Sequence, residues 1–243
     1  MNLRVYPTPR EWNEDDVRGC VAIVIDVLRA SSTITQALVN GARDIVPVAT
    51  PAEAGELAVK AGRGDVVLGG ERDGKLIEGF DLGNSPFEYS PDRVGGRTII
   101  FASTNGSPSL VRAKTAEHVL VGSFNNQNAV VTRARDIGLD VVVICSGRNG
   151  KFSLEDFVCA GKLVDGLLPG GTIGNDGAHA ALDLFKYYRS QISEVVKGSY
   201  HGKYLAGLGF EADLEHCARV DIHQIVPALI EGKIKVPKLN GGS

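Results

Sequence analysis

Asp26 closes an unbroken apolar run, Val21-Ala22-Ile23-Val24-Ile25, and Arg29 and the hydroxyls of Ser31, Ser32 and Thr33 follow at once. In open α/β sheets ligands gather beyond the carboxyl ends of strands, where a helix N-terminus offers free N–H groups and an arginine can grip two oxygens of one anion. Phosphoryl chemistry fits such a place. The structural alternative is equally economical: Ser31 or Ser32 caps a helix, and Asp26 pairs with Arg29. Spacing alone does not separate the two.

Three more segments carry comparable chemistry. Gly69-Gly70-Glu71-Arg72-Asp73 leads into Glu78-Gly79-Phe80-Asp81-Leu82-Gly83-Asn84-Ser85-Pro86, a long glycine-rich acidic stretch that reads as a functional loop. Glu71 and Asp81 are oxygen ligands suited to a hard cation such as Mg²⁺, while Ser85-Pro86-Phe87-Glu88 has the form of a capping box that simply starts a helix. Ser103-Thr104-Asn105-Gly106-Ser107-Pro108 places an Asn-Gly turn and a second helix start after the apolar run Arg97–Phe101. Finally, Cys145-Ser146-Gly147-Arg148-Asn149-Gly150-Lys151-Phe152-Ser153-Leu154-Glu155-Asp156 supplies two cations and then two acids. Ser153 and Asp156 match a capping box, which leaves Glu155 as the better ligand candidate.

Several other chemistries fail by spacing. A Walker A loop needs glycine at 145 and a hydroxyl at 152, where Cys145 and Phe152 stand; a cysteine-phosphatase loop needs arginine where Lys151 stands. Neither G-x-G-x-x-G after a strand nor a G-x-S-x-G elbow occurs. His118, His179, His201, His216 and His223 lack metal-ligand spacing, and His179 alone suggests a proton carrier, behind Asp176 as a helix N-cap. Cys20, Cys145, Cys159 and Cys217 form no C-x-x-C pair and read as reduced, buried thiols.

Taken in order, Asp26-Val27-Leu28-Arg29-Ala30-Ser31-Ser32-Thr33, Gly70-Glu71-Arg72, Gly79-Phe80-Asp81-Leu82-Gly83-Asn84-Ser85-Pro86, Thr104-Asn105-Gly106 and Phe152-Ser153-Leu154-Glu155-Asp156 resemble the ComB family of 2-phosphosulfolactate phosphatases. The likeness runs from about Asp26 to Asp176 and weakens in the last third. It implies an α/β fold, Mg²⁺ dependence, and hydrolysis of a phosphomonoester on a small carboxylated, sulfonated skeleton, a reaction of coenzyme M biosynthesis. On that footing Asp26 and Arg29 are the catalytic candidates, with Asp26 either attacking phosphorus or aligning a water. Ser31, Ser32, Asn84, Thr104, Asn105 and Gly106 would bind the phosphoryl group, and Arg148 and Lys151 the carboxylate or sulfonate. Glu71, Asp81, Glu155 and Asp156 are the metal candidates. A non-catalytic binding protein for a small phosphorylated or sulfonated acid is the alternative.

These residues need a scaffold. β-Branched apolar runs recur at Gly19–Ile25, Asp44–Val48, Asp65–Leu68, Arg97–Phe101, His118–Val121 and Asp140–Cys145, and suit strands covered on both faces. Amphipathic stretches alternate with them: Ser32–Asn40, Pro51–Ala61, Pro108–Lys114, Asn126–Ile137, Leu154–Leu168 and Asp176–Arg189. The fold expected is a layered α/β/α architecture on a mixed, largely parallel sheet, read as a single ComB-like phosphatase domain over 1–243 with room for two closely joined lobes. Ile225–Val236 reads as a pair of short strands or an arm.

The chain has 243 residues, 43% hydrophobic and 23% charged, with 26 Lys+Arg against 29 Asp+Glu for a net charge of −3. This is a globular balance, and it lacks the clustered positive charge that nucleic-acid binding needs. No apolar run approaches a membrane span or a secretory signal, so the location expected is cytoplasmic, with homo-oligomerisation left open.

Overall fold

A computed structural model describes residues 1–62 and 66–237. The strands are β1 (Asn2–Tyr6), β2 (Val21–Ile25), β3 (Asp44–Val48), β4 (Val66–Arg72), β5 (Lys75–Leu76), β6 (Thr98–Ala102), β7 (His118–Gly122), β8 (Val141–Cys145), β9 (Thr172–Ile173), β10 (Ala228–Ile230) and β11 (Lys233–Lys235). The helices are α1 (Glu14–Val17), α2 (Ala30–Val39), α3 (Pro51–Ala61), α4 (Pro91–Val94), α5 (Gly106–Arg112), α6 (Gln127–Ile137), α7 (Leu154–Leu167), α8 (Asp176–Tyr188), α9 (Ile192–Gly198), α10 (Tyr200–Ala206) and α11 (Glu211–Cys217).

All strands join one sheet in the order β5-β4-β6-β3-β11-β10-β7-β2-β8-β1-β9. It is mixed and mostly parallel, as the alternation of apolar and amphipathic segments implied. One parallel block is β7-β2-β8-β1-β9 and the other is β4-β6-β3, and the antiparallel hairpin β10–β11 joins them. Each antiparallel step reverses direction, so the two blocks run in opposite senses. The segment 225–236 is thus the pair of strands that completes the sheet.

β2 shows why the strands form. Val21, Ile23 and Ile25 pack into one apolar cluster with α6, α7 and α8, while Ala22 and Val24 pack into another with α2 and α5. A strand buried on both faces must be apolar throughout, and each large aliphatic side chain buried there contributes roughly 1.5–3 kcal/mol. Thr50 caps α3 by accepting the Glu53 N–H, with Pro51 at the first helical position. Gly138, at φ +75°, closes α6.

Three features depart from expectation. β1 was not anticipated: its alternating burial gives it no continuous apolar run. β4 continues through Gly69-Gly70-Glu71-Arg72, so these residues are strand rather than loop. Gly70 permits this, because at φ +144° a Cβ would lie 1.9 Å from the Ala102 carbonyl oxygen on the neighbouring β6. Asp65, the start of the strand expected at 65–68, lies outside the described residues. Ser85-Pro86-Phe87-Glu88 does form its capping box, but only around one 3₁₀ turn, Pro86–Glu88.

Candidate active site

The carboxyl ends of β2, β4, β6 and β8 converge on a narrow, solvent-open cleft. Its wall includes Asp26, Arg29, Glu71, Asp73, Asn84, Thr104, Asn105, Arg148 and Asn149 from the segments singled out above, together with Gly74, His201, Tyr204 and Leu205.

At the end of β2 the chain folds back on itself. The Ser31 hydroxyl accepts the Asp26 N–H at 2.9 Å and donates to the Val24 carbonyl, and the Ser31 N–H donates to the Asp26 carbonyl. Ser32 donates to the Val27 carbonyl. Both hydroxyls are buried and committed to the backbone, so neither faces the cleft as a phosphate ligand. Arg29, rather than a serine, occupies the N-cap position of α2. The turn instead fixes Asp26, whose Oδ1 accepts the Ala30 N–H at 3.3 Å. Asp26 Oδ2 lies against Gly106, where a Cβ would sit 2.7 Å from it. The glycine is what lets the start of α5 approach the carboxylate.

Burial pushes the Asp26 carboxyl up to about 7; His201 pulls the other way, and Glu71 and Glu155 add to the rise. Glu71 closes the next strand end. Its Oε1 accepts the Thr104 N–H at 2.6 Å, and its Oε2 accepts the Gly74 N–H at 2.7 Å and the Thr104 hydroxyl at 3.1 Å. Glu71 therefore clamps β4 to the 103–106 turn. Asn105 Oδ1 accepts the Asn149 N–H at 2.8 Å, which ties that turn to the loop after β8.

Arg29 is only 2% exposed. One terminal nitrogen pairs with Asp213 Oδ2, the other donates to the Gly74 carbonyl at 3.0 Å, and the guanidinium lies 4.0 Å from the centre of the Phe210 ring. The free two-pronged phosphate clamp expected of it is thus partly spent on the protein. Arg148 stacks 4.0 Å from the centre of the Tyr204 ring, and the Tyr204 hydroxyl donates to the Asp73 carbonyl at 2.8 Å.

The acids after β8 separate. Asp156 does not complete a capping box with Ser153, whose hydroxyl has no partner. Asp156 Oδ1 accepts the Val27 N–H at 2.8 Å and Oδ2 the Gly147 N–H at 2.9 Å, so it staples the ends of β2 and β8. Burial raises its carboxyl well above the usual range, and Glu155 and Asp26 raise it further. A metal role for Asp156 is not what this geometry presents. Glu155 is 1% exposed, lies behind the cleft wall with Oε1 3.6 Å from His201 Nδ1, and leaves Oε2 without a hydrogen-bond partner.

Three expected residues lie elsewhere. Asp81 accepts the Leu68 N–H at 2.9 Å and borders a second cavity with Arg93 and Arg97, because the chain hydrogen-bonds alongside β4 at 81–82 before it reaches the site at Asn84. Lys151 is exposed and off the cleft wall, although its backbone bridges to Arg148. His179 is exposed on α8 beside Asp183, and Asn175, not Asp176, caps that helix. The residues missed by sequence are mainly those of α10 and α11. His201, Tyr204 and Asp213 sit in seven-residue helices, too short to show a strong period, and no motif marks them.

For a hard cation the cleft offers a partial donor set. Among the described residues, no three His, Cys, Asp or Glu side chains form a ready cage. Mg²⁺ does not require one, since it keeps several waters and commonly binds through one or two carboxylates plus substrate phosphate. The atoms left over suit that mode: Asp26 Oδ2 makes no hydrogen bond within the described residues, and Glu155 Oε2 and Asn84 Oδ1 are buried without partners. Glu71 is the weaker ligand, as both its oxygens already accept N–H groups.

Residues 6–232 match the family model described as 2-phosphosulpholactate phosphatase. Three relatives carry the name "Probable 2-phosphosulfolactate phosphatase". One from Caldanaerobacter subterraneus is 39% identical over 97% of this chain and 98% of its own. One from Thermotoga maritima is 43% identical over 87% and 89%, and one from Clostridium acetobutylicum is 39% identical over 96% and 100%.

Proposed function

The chain belongs to the 2-phosphosulpholactate phosphatase family, and from that premise we propose that it hydrolyses 2-phosphosulfolactate, or a closely related small phosphorylated hydroxy acid, to the hydroxy acid and phosphate with the help of Mg²⁺. The observation that carries this reading is the meeting of Asp26 Oδ2 with the start of α5 at Gly106, in a cleft that also holds two arginines.

Charge argues for the cation. The wall carries Asp26, Glu71 and Asp73 against Arg29 and Arg148, and Arg29 is already balanced by Asp213. A phosphate dianion would be repelled from such a site. Asp26 and Asn84, on the cleft wall, are the residues that would hold Mg²⁺, with the unpartnered Glu155 behind them; when bound the ion supplies the positive charge that lets phosphoryl oxygens and carboxylates share the cleft.

The chain's own groups account for the rest. Asp26 acts at phosphorus in one of two ways: its carboxylate displaces the hydroxy-acid oxygen, which leaves with a proton from solvent, and water then hydrolyses the acyl phosphate to phosphate and the free carboxylate; or it aligns and deprotonates a water that displaces the same oxygen, which takes up a proton as it leaves. Arg29, which lines the cleft, and the backbone at Asn105-Gly106 steady the phosphoryl oxygens. Arg148, held flat on Tyr204, meets the second anionic group of the substrate.

Phosphate release from 2-phosphosulfolactate with and without Mg²⁺ tests this directly. EDTA should abolish turnover and Mg²⁺ restore it. Full activity in metal-free buffer would remove the cation from the reaction, and tight binding without release would recast the protein as a carrier of a phosphorylated acid.

A further inference from the structure

Asp213 is only 2% exposed and comes from α11, beyond the segments whose motifs mark the site. Its Oδ2 pairs with Arg29 at 2.5 Å and its Oδ1 accepts the Ser85 hydroxyl at 2.7 Å. Ser85 follows Asn84, whose Oδ1 is buried in the cleft without a partner. Arg29 in turn donates to the Gly74 carbonyl, next to the residue that begins the turn linked to Tyr204. One carboxylate therefore fixes the orientation of the arginine at the end of β2 and the approach of the loop that delivers Asn84.

We infer that Asp213 is a positioning residue for the phosphoryl site, acting through Arg29. A guanidinium is planar and presents its donors in a fixed fork. With one nitrogen held by Asp213, the other by Gly74 and the plane against Phe210, a single orientation remains for a guanidinium that lines the cleft beside Asp26. Without Asp213 the arginine would be drawn toward the acids at Asp26 and Glu71 and would lie across the position the substrate needs. The ion pair thus does more than fill the core: it keeps a strong cation from neutralising the carboxylates on which the reaction depends. This inference rests on the phosphatase reading above, and its test separates the two.

The test is a double-mutant cycle of Asp213→Asn and Arg29→Lys, read as kcat and KM for phosphosulfolactate and as the affinity for inorganic phosphate by calorimetry with Mg²⁺ present. Asp213→Asn should lower kcat ~10²-fold with a smaller change in KM, and weaken phosphate binding ~10-fold, while Asp213→Glu recovers part of the loss. In the Arg29→Lys background the same Asp213→Asn change should cost less than ~3-fold, because the fork it orients is gone. Equal losses in both backgrounds, or an Asp213→Asn protein within ~3-fold of the parent, would overturn the inference. Should Asp213→Asn fail to fold, Ser85→Ala removes only the donor to Oδ1, and the same non-additivity is expected at a loss of ~3–10-fold. A parent chain that binds phosphate but does not hydrolyse the ester refutes the phosphatase reading alone, and the phosphate affinities still decide the role of Asp213. A parent that binds no phosphate at millimolar concentration refutes both.

Discussion

The cleft has two walls made in different ways. On one side the ends of β2, β4 and β6 present Asp26, Glu71, Thr104 and Asn105, each tied to the backbone of a neighbouring segment. On the other side the short helices α10 and α11 lay His201, Tyr204 and Leu205 across the opening. The polar ties from these helices to the strand wall run through side chains, notably Tyr204 to Asp73 and Asp213 to Arg29 and Ser85. A backbone-anchored wall holds atoms at fixed distances, whereas short helices joined by side chains open at lower cost. The proposed function assigns the chemistry to the first wall and substrate selection to the second. Asp213 is the point at which the second wall reaches into the first.

On that division, substitutions on the strand wall lower kcat and those on the helical wall raise KM, with Asp213 excepted because it acts through Arg29 on the strand side. The largest effect is expected for Asp26→Asn. Turnover should fall by at least ~10²-fold, as when a main charged group is removed. The same change should stabilise the protein. In the folded chain burial holds the Asp26 carboxyl at about 7 against an ordinary 3.8, so the folded state keeps a proton that the unfolded state loses. Stability therefore falls as pH rises from about 3.8 to about 7, and the full cost, a few kcal/mol at most, is present above that range. In metal-free buffer Asp26→Asn should melt above the parent at pH 8, with the gap closing toward pH 4. Equal melting at pH 8 would show that the carboxylate is not held in a dry, crowded site.

Glu71→Gln is the next step down. Both carboxylate oxygens accept N–H groups, so a glutamine must turn its own NH₂ toward either Thr104 or Gly74 and leave a donor facing a donor. A cost of ~1–3 kcal/mol in stability is expected, with a kcat loss of ~10-fold and little change in KM. A KM effect without a kcat effect would break the division between the walls, because it would place Glu71 in substrate selection.

The same contrast explains what could be read from sequence. The strand wall was legible because buried parallel strands must be continuously apolar, so the polar residues at their ends stand out: Asp26 after Val21–Ile25 and Thr104-Asn105-Gly106 after Thr98–Ala102. What spacing did not reveal is which polar atoms remain free. Asp26 and Asp156 both end at the same pair of strands, yet Asp156 spends both oxygens on backbone N–H groups while Asp26 keeps one open. The hydroxyls of Ser31 and Ser32 turn inward for the same reason, since a tight turn after a buried strand leaves donors and acceptors that must be met locally. Asp81 was misplaced because its neighbours continue the pairing along β4. The helical wall carries no such signature. α10 and α11 are seven residues each, and His201, Tyr204 and Asp213 acquire meaning only from what lies opposite them.

The smallest effect tests the second wall by itself. Tyr204→Phe deletes only the hydroxyl that donates to the Asp73 carbonyl and keeps the ring on which Arg148 rests. Arg148 would still face the cleft, but the ring beneath it would lose its tether to the Asp73 turn. Because Arg148 is assigned to the second anionic group, the variant should raise KM for phosphosulfolactate ~2–5-fold and leave kcat within ~2-fold. For a simple alkyl phosphate, which has nothing for Arg148 to hold, neither constant should move. Lys151→Ala serves as the comparison, since Lys151 is exposed and lies off the cleft wall. A KM rise there as large as in Tyr204→Phe would return the lysine to substrate binding. A kcat loss in Tyr204→Phe for both substrates would instead show that the helical wall sets the geometry of the reacting groups as well as the choice of substrate.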